Sequence, residues 1–380
     1  MFVMPPEPVP FFEFFAGGGM ARLGLGPAWQ CTFANEWCEK KAASYRVNFG
    51  GAPELSVRDV ATLSTHDLPG TPALVWASFP CQDLSLAGAR SGLQGLRSGT
   101  FHAFWRLMER LIEEGRRPHT IALENVTGTL TSHGGRDFRY IIERLCAAGY
   151  HAGALVIDAA HFVPHSRPRL FIIASSRRAS ALERQQPCMP WHPRGVVNAY
   201  SGLPRLLRRN WTWWSMPSPQ SQAPARLSSI LEANPTGVEW HTRAQTRYLL
   251  SLMSPLHRAK LDAAKRDGYP AVGAMYRRTR NGEQRAEVRF DELSGCLRTP
   301  AGGSSRQTIL VVDGQRIASR LLSPREAARL MGVPDTYQLP SRYSEAYHLL
   351  GDGVVVPVVS WLEQHLLRPL ETGTSAVAAA

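Results

Sequence analysis

The sequence is poor in the features that define zinc, redox, disulfide-rich or membrane proteins. It holds only 6 cysteines in 380 residues and no C-x-x-C pair, which argues against a zinc site or a dithiol redox centre. Their scatter along the chain is typical of reduced thiols. No apolar run approaches the roughly 18 residues of a membrane span, and the proline-rich start lacks the basic segment of a signal peptide. We therefore expect a soluble, cytoplasmic protein that holds no metal.

The charge of the chain is strongly positive and unevenly placed. Lys and Arg number 43 against 31 Asp and Glu, which gives a formal net charge of +12. Residues 201–300 hold 16 of the basic residues and 8 of the acidic ones. This excess favours a polyanionic partner such as nucleic acid, with the basic segment facing phosphates, although many basic proteins bind none.

Short apolar runs alternate with amphipathic stretches over residues 1–175, a pattern typical of a parallel α/β sheet. The candidate strands are 11–16, 32–36, 73–78, 120–125, 153–158 and 169–175, and the candidate helices are 101–115 and 138–150. After Ser176 the chain is rich in Pro, Arg, Ser and Trp, which predicts a second domain with irregular loops. Ser323, Pro324 and Glu326 predict a capped helix start.

A glycine-rich loop separates the first predicted strand from a helix. Residues 15–19 read Phe-Ala-Gly-Gly-Gly, and glycines there let backbone approach a ligand at a helix N-terminus. Glu36 ends the second strand, where its carboxylate can accept hydrogen bonds from both ribose hydroxyls of an adenosine cofactor. Asp59, after the next turn, is a candidate for the adenine amino group. A tight turn without a ligand is the alternative, and NAD, FAD and S-adenosylmethionine are not separated by these residues.

Two further strand ends carry a thiol and a carboxyl group. Cys81 follows an apolar run in the tripeptide Pro-Cys-Gln, and Glu124 ends the strand 120–125. Ligands bind at the carboxyl ends of parallel strands, so these side chains are candidates for one site. The alternative for Cys81 is a small buried apolar residue. The glycine-rich segment 83–100, with its arginines, predicts a mobile loop that contacts phosphates.

Arg167 and Arg169 alternate at the start of the strand predicted over 169–175. Alternation predicts that both side chains point to one face of the sheet. There they are either functional groups or ordinary charges at the edge of the sheet.

Together these motifs resemble those of the DNA cytosine-5 methyltransferase family, in the family's own order and over nearly the whole chain. The family's cofactor loop, Glu-Trp pair and third-strand acid correspond to 15–19, Glu36-Trp37 and Asp59. Its nucleophile, Glu-Asn-Val and Q-x-R-x-R motifs correspond to Pro80-Cys81-Gln82, Glu124-Asn125-Val126 and 165–169. Its last two motifs correspond to 320–335 and 351–357. So many short motifs in one order are highly specific.

Three positions depart from the family pattern. Asp83 stands where the family usually has Pro, which adds a charge near DNA and alters the stiffness of the loop. His165 stands where the family has Gln. Asp352 replaces the usual Asn near the cofactor's methionine part, which puts the affinity or selectivity for the cofactor in question.

The resemblance implies an α/β fold, a Rossmann-like S-adenosylmethionine-dependent methyltransferase domain with a smaller, irregular target-recognition domain. We expect the catalytic domain at 1–178 plus 340–370, the recognition domain at 179–339 and a frayed tail at 371–380. The partner implied is double-stranded DNA, bound by a monomer in the cytoplasm at the nucleoid. A cognate restriction endonuclease is a further partner to expect.

The resemblance also implies that the target cytosine is flipped out of the duplex. Cys81 then attacks C6, so that C5 can take the methyl group, while Glu124 contacts N3 and the exocyclic amine. Arg167 and Arg169 complete the catalytic set, with Arg167 within reach of O2, and the loop after Cys81 is the expected lid. The residues implied for cofactor binding are Phe15, Ala16, Gly17, Gly19, Met20, Glu36, Trp37, Asp59, Val60, Pro80, Asp352 and Val354. The residues implied for DNA contact are Gln82, Ser85, Arg90, Arg97, Gly302, Gly303 and Arg306.

Several alternatives stay open at this point. Trp211, Trp213 and Trp214 either contact DNA or form a small core. A transfer-RNA cytosine-5 methyltransferase of the same fold and a non-catalytic DNA-binding regulator are rival functions. A nicotinamide oxidoreductase would explain the glycine loop and Glu36, but not the Pro-Cys-Gln and Glu-Asn-Val motifs.

Overall fold

The computed structural model describes residues 7–80, 99–219, 225–267, 269–280, 282–297 and 306–373. The strands are β1 (Val9–Phe14), β2 (Trp29–Glu36), β3 (Leu55–Val57), β4 (Leu74–Ala77), β5 (Thr120–Val126), β6 (His151–Asp158), β7 (Pro168–Ser175), β8 (Glu183–Arg184), β9 (Trp213–Trp214), β10 (Ala271–Arg280), β11 (Glu283–Arg289), β12 (Thr308–Asp313) and β13 (Arg316–Leu321). The α-helices are α1 (Met20–Leu25), α2 (Glu39–Asn48), α3 (Thr100–Glu113), α4 (Arg136–Ala147), α5 (Arg194–Ser201), α6 (Arg205–Arg208), α7 (Arg243–Ser251), α8 (Pro255–Arg266), α9 (Pro324–Leu330), α10 (Tyr343–Asp352), α11 (Val356–Leu362) and α12 (Arg368–Thr372). In these described ranges no helix is long and apolar enough to cross a membrane.

The chain packs as two compact units. The first consists of Met1–Ile157, Pro168–Ser218 and Val358–Ala380, and the second of Asp158–Arg167 and Pro219–Pro357. The catalytic and recognition domains expected from the sequence have other bounds. They remain a prediction, because packing alone does not tell which residues contact DNA.

A seven-stranded sheet forms the centre of the first unit, in the order β3-β2-β1-β4-β5-β7-β6. The strands β1 to β5 pair in parallel, whereas β7 runs antiparallel to β5. The expectation of a parallel sheet is therefore correct for five strands and wrong for β7. The link 159–167 before β7 is shorter than the roughly dozen residues that a parallel crossover connection needs.

Helices α3 and α4 pack on this sheet because each is apolar along one side. Both bury residues at three- and four-residue spacing, which is the period of one helix face. The buried side chains are Phe101, Phe104, Leu107, Met108 and Leu111 of α3 and Phe138, Ile141, Ile142 and Leu145 of α4. They form one core with Phe14 of β1 and Val75 of β4. Burial of each such side chain contributes about 1.5–3 kcal/mol, which fixes the sheet that carries the site residues.

Trp211, Trp213 and Trp214 belong to the first unit and are at most 8% exposed. The indole Nε1–H of Trp214 donates a hydrogen bond to the carbonyl of Ile173 at 3.0 Å. Of the two interpretations of these tryptophans, the structure supports the core. A role in DNA contact is wrong for them, because their rings are packed away from the surface.

The second unit is built on a four-stranded antiparallel sheet in the order β11-β10-β12-β13. Met275 and Val288 of this sheet share a core with Leu249 of α7 and Leu261 of α8. The sequence patterns did not predict the sheet. The last four residues of β10 read Arg-Arg-Thr-Arg, and β11 holds only two apolar residues, Ala286 and Val288, so the apolar signal of this pair of strands is short.

The predicted helix start at Ser323 is confirmed. Ser323 Oγ accepts the N–H of Glu326 at 3.1 Å, and Glu326 Oε2 accepts the N–H of Ser323 at 2.8 Å. Burial alone would raise the pKa of the Glu326 carboxyl, but hydrogen bonds from Arg320 and Ser323 hold it below its usual range. A capping box and a buried ion pair with Arg320 thus hold this helix start within the second unit.

Candidate active site

Glu36 at the end of β2 holds the glycine-rich loop that follows β1. Its Oε2 accepts the N–H of Gly17 at 2.9 Å. Its Oε1 accepts the N–H of Trp37 at 3.0 Å and that of Cys38 at 2.9 Å. A carboxylate offers about four acceptor positions, and these three N–H groups occupy three of them. One position remains for a ribose hydroxyl, and a second hydroxyl would have to share an oxygen lone pair with another donor. The carboxylate therefore fits a nucleoside cofactor next to the loop.

The loop backbone is left-handed at three positions. The φ angles of Phe15, Gly17 and Gly19 are 58°, 57° and 75°. For Phe15, which has a Cβ, this conformation is strained, and such strain is typical of functional loops. A Cβ at Gly17 would meet no atom within 4 Å, whereas one at Gly19 would overlap the ring of Phe49. The space beside Gly17 is open to a ligand, and Gly19 lets the loop pack closely on α2.

The other residues expected to bind the cofactor have mixed surroundings. Trp37 is 75% exposed, and Pro80 is exposed, so both offer surface to a ligand. Ala16, Met20 and Val60 are buried and contribute chiefly to packing. Asp59 is exposed, and its Oδ1 accepts the N–H of Ala61 at 2.9 Å, which caps a short turn. Asp352 and Val354 belong to the second unit, where Asp352 is exposed at the end of α10 and Val354 is buried.

A buried polar cluster lies behind the loop, and the sequence patterns did not predict it. The hydroxyl of Tyr45 donates to Glu13 Oε2 at 3.4 Å and accepts from Arg22 Nη1 at 3.0 Å, and Arg22 also pairs with Glu54. Burial is the largest influence on Glu13 and raises the pKa of its carboxyl to about 8. At neutral pH the folded protein therefore holds Glu13 mainly protonated. Its position inside the apolar run Phe-Phe-Glu-Phe-Phe was the available signal.

Glu124 and Arg169 form an ion pair in the first unit, with 3.3 Å between Oε1 and Nε. Glu124 lies near the end of β5 and is only 7% exposed. Arg169 lies at the start of β7, opposite Val126 of β5, because the two strands are antiparallel. The antiparallel strand thus brings a guanidinium to the carboxyl end of the parallel part of the sheet.

Arg167 has surroundings quite different from those of Arg169. It belongs to the second unit and is 2% exposed. Its Nη1 donates to the carbonyl of Leu297, and its Nη2 donates to the carbonyls of Gly351 and Gly353, each at 2.8 Å. This guanidinium holds three backbone carbonyls together.

The two arginines have different partners, and the expectation that both point to one face of the sheet stays a prediction. Strand β7 begins at Pro168, so Arg167 precedes it and packs with the link that belongs to the second unit. Arg169 contacts Glu124 at 3.3 Å. The catalytic assignments of both arginines remain predictions, and Arg169 is the neighbour of the Glu124 carboxyl.

The hydrogen bonds of His165 explain how a histidine can stand where the family pattern has glutamine. It is fully buried in the second unit, where Nδ1 faces the carbonyl of Leu330 at 3.1 Å and Nε2 accepts the N–H of Leu297 at 3.0 Å. These partners call for a neutral imidazole that carries its proton on Nδ1. One donor and one acceptor are also what a glutamine amide presents, so His165 can replace it.

Asn125 ties the ends of β4 and β5 together. Its Nδ2 donates to the carbonyl of Phe79 at 2.9 Å, and its Oδ1 accepts the N–H of Val126 at 2.8 Å. The hydroxyl of Thr129 donates to the same Oδ1 at 3.0 Å. Thr129 was not among the sequence candidates, since a threonine after a Glu-Asn-Val motif carries no distinctive pattern.

Several predicted site residues lie outside the described residues. These are Cys81, Gln82, Ser85, Arg90, Arg97, Gly302 and Gly303, together with Asp83. Arg306 is described and half-buried, with its guanidinium carbon 4.9 Å from the centroid of the Tyr343 ring. In the described part of the chain, no group of three or more His, Cys, Asp and Glu side chains is arranged to hold a metal ion.

The comparisons with known proteins agree on one family. A family model described as C-5 cytosine-specific DNA methylase matches residues 9–368. The chain is 28% identical to the Type II methyltransferase M.BsuFI of Bacillus subtilis, over 92% of this chain and 70% of that protein. It is 27% identical to the Type II methyltransferase M.HaeII of Haemophilus aegyptius, over 96% of this chain and 95% of that protein.

Among solved structures, Dnmt2 methyltransferase of S. pombe superposes with a TM-score of 0.61 at 17% identity, over 95% of this chain and 99% of that one. A DNA modification methyltransferase encoded in an E. coli prophage superposes with a TM-score of 0.56 at 16% identity, over 93% and 97%. The fold is thus the Rossmann-like fold of S-adenosylmethionine-dependent methyltransferases. Because the family model spans most of its length, the chain belongs to the C-5 cytosine-specific DNA methylases and is a DNA methyltransferase.

Proposed function

We propose that this chain methylates C5 of a cytosine within a short sequence of double-stranded DNA, with Cys81 as nucleophile and S-adenosylmethionine as methyl donor. The observation that carries the proposal is the Glu124–Arg169 ion pair. It lies on β5 and β7, and β5 pairs with β4, the strand that leads into Pro80-Cys81. A carboxyl group and a guanidinium thus lie on strands next to β4, the strand that precedes Pro80-Cys81 in the sequence.

The chemistry needs a thiol because C5 of cytosine is a poor nucleophile. Addition of the Cys81 thiolate to C6 makes C5 an enamine carbon that can take a methyl group. S-Adenosylmethionine supplies that group as an electrophilic methyl. Loss of the C5 proton and departure of the thiolate then restore the aromatic ring. Because C6 is out of reach in a stacked duplex, the base must be flipped out, at a cost of a few kcal/mol.

Glu124 and Arg169 are proposed to act on the opposite edge of the ring. A carboxyl group at N3 offsets the charge that develops when the thiolate adds to C6. Arg169 holds the orientation of this carboxyl through the 3.3 Å contact. Arg167 is better suited to hold the carbonyls of Gly351 and Gly353.

Replacing Glu36 with glutamine should weaken S-adenosylmethionine binding about tenfold, as loss of a charged acceptor does. The amide would turn an N–H donor toward the N–H groups that Glu36 now accepts, and the loop would shift. Isothermal titration with the cofactor measures the effect. Glu39→Gln, a change at a side chain that is 76% exposed, is the matched control. Equal affinities of Glu36→Gln and wild type for S-adenosylmethionine would contradict a role of Glu36 in binding the cofactor.

The outer side of α7 and α8 is proposed to face DNA phosphates. These helices cover the sheet of the second unit with apolar residues and leave basic side chains in solvent. Exposed basic residues of these helices include Arg243, Arg247, Arg258 and Lys260; α7 holds no acidic residue, and α8 holds one, Asp262. Part of the excess positive charge of residues 201–300 is therefore exposed on these two helices.

Changing all four of these residues to glutamine should reduce the slope of log affinity against log salt by about 3–4, since each phosphate that is neutralised contributes about 0.9 to that slope. Fluorescence anisotropy of a labelled duplex at several salt concentrations measures the slope. The control removes the same charge from exposed arginines of the first unit, Arg46, Arg110, Arg194 and Arg205. If both quadruple variants change the slope alike, α7 and α8 are not a specific phosphate-binding surface.

The proposed reaction is tested with purified protein, unmethylated genomic DNA and S-adenosylmethionine, followed by bisulfite sequencing. We expect protected cytosines in one short sequence context. Methylation of transfer RNA instead of DNA would contradict the substrate proposed here. The names of the Type II relatives support one further proposal, a cognate restriction endonuclease with the same target. We propose as well that the protein acts at the nucleoid, where its DNA substrate would be. We also propose that a monomer acts on DNA, which sedimentation of the complex checks.

A further inference from the structure

Thr129 is a buried hydroxyl that the proposed mechanism does not use. It lies in the short 3-10 turn Thr127–Leu130 directly after β5 and is 2% exposed. Its hydroxyl donates to Asn125 Oδ1 at 3.0 Å. A buried hydroxyl bonded to a buried amide is a specific contact, because either group left alone would lose its solvation without compensation.

Three hydrogen bonds define the orientation of the Asn125 amide. Its oxygen accepts from the Val126 N–H and from Thr129, and its nitrogen donates to the Phe79 carbonyl. The hydroxyl of Thr129 therefore helps to hold the amide nitrogen toward Phe79. Without the Thr129 hydroxyl, Asn125 Oδ1 would accept only the Val126 N–H. The amide would then rotate more freely about χ2, a torsion whose energy minimum is broad.

The Phe79 carbonyl lies two residues before Cys81, where the chain leaves β4. Phe79 is itself buried, its ring 5.3 Å from that of Phe101, and Pro80 limits the backbone that follows. A bond at this carbonyl thus sets the point from which the Cys81 segment departs. We propose that Thr129 is a positioning residue for the nucleophile, acting through Asn125 and Phe79 and not touching the cytosine. This inference rests on the function proposed above.

The test isolates thiolate addition from methyl transfer. Without S-adenosylmethionine, a C5-tritiated cytosine in DNA should exchange its label with solvent. Thiolate addition at C6 and protonation at C5 are followed by loss of the original hydrogen and elimination of the thiolate. We expect Thr129→Val, which keeps the shape, to lower this exchange rate at saturating DNA about tenfold. Thr129→Ser, which keeps the hydroxyl, should stay within about twofold of wild type.

A positioning role also predicts which quantities do not change. The affinity for the DNA duplex and for S-adenosylmethionine should be the same in Thr129→Val and in wild type, so that the loss appears in the rate constant alone. Thr131→Val is the control, since Thr131 is exposed and its hydroxyl donates to the carbonyl of Gly128. Should Thr129→Val fail to fold by circular dichroism, Thr129→Ala takes its place in the same comparison.

The outcomes separate this inference from the proposed function. A wild-type protein that neither exchanges the label nor methylates DNA contradicts the proposed function, and the inference with it. An active wild type with an equally active Thr129→Val variant overturns the inference alone. So does an equal loss in Thr129→Ser and Thr129→Val, or a parallel loss of cofactor affinity, since either would show a general structural role.

Discussion

Replacing Cys81 with alanine should abolish methylation of DNA, with a loss of at least about 10⁴-fold in rate. Without the thiolate, C5 stays an unreactive aromatic carbon, and no neighbouring group can replace covalent activation at C6. Bisulfite sequencing of DNA treated with wild type and Cys81→Ala measures the outcome. Wild type should leave protected cytosines in one context, and the variant should leave none.

The described cysteines provide the control for this experiment. Burial raises the pKa of the Cys31 thiol to about 12 and that of Cys146 to about 11, so neither supplies a thiolate at neutral pH. Cys146→Ala should therefore methylate DNA at the wild-type rate. Should Cys81→Ala retain activity while Cys146→Ala loses it, the nucleophile has been assigned to the wrong residue.

Replacing Glu124 with glutamine should lower the single-turnover methylation rate by at least about 100-fold. The amide has no ionisable proton to offset the negative charge that develops at N3 of the cytosine. It also leaves Arg169 without the carboxylate that it contacts at 3.3 Å. Rapid quenching of the protein mixed with duplex DNA and labelled cofactor gives the rate.

The affinity for DNA should change little in Glu124→Gln, because the change alters a buried group and not the phosphate contacts. Glu39→Gln, on an exposed helix turn, controls for loss of one negative charge. A Glu124→Gln variant with an unchanged rate would show that this carboxyl does not take part in the chemical step.

The cofactor side of the site illustrates what local patterns can predict. The loop at 15–19 follows β1, and Glu36 is the last residue of β2. These two short, apolar strands are consecutive and pair in parallel, so their carboxyl ends lie side by side. The bond between Gly17 and Glu36 is the expected result of that topology. The cluster around Glu13 and Tyr45 was not predicted, because its members approach each other only when α1 and α2 pack on the sheet.

Local patterns in the sequence were enough to predict the family, the α/β class, six of the seven strands of the large sheet and the helix start at Ser323. These depend on periodicity, turn residues and motifs that are contiguous in the chain. Three features are visible only in the folded chain: β7 is antiparallel to β5, Arg169 contacts Glu124, and the three tryptophans are buried. Each of these features depends on which distant segment of the chain packs against a given residue. The residues next to it in the sequence do not specify that segment.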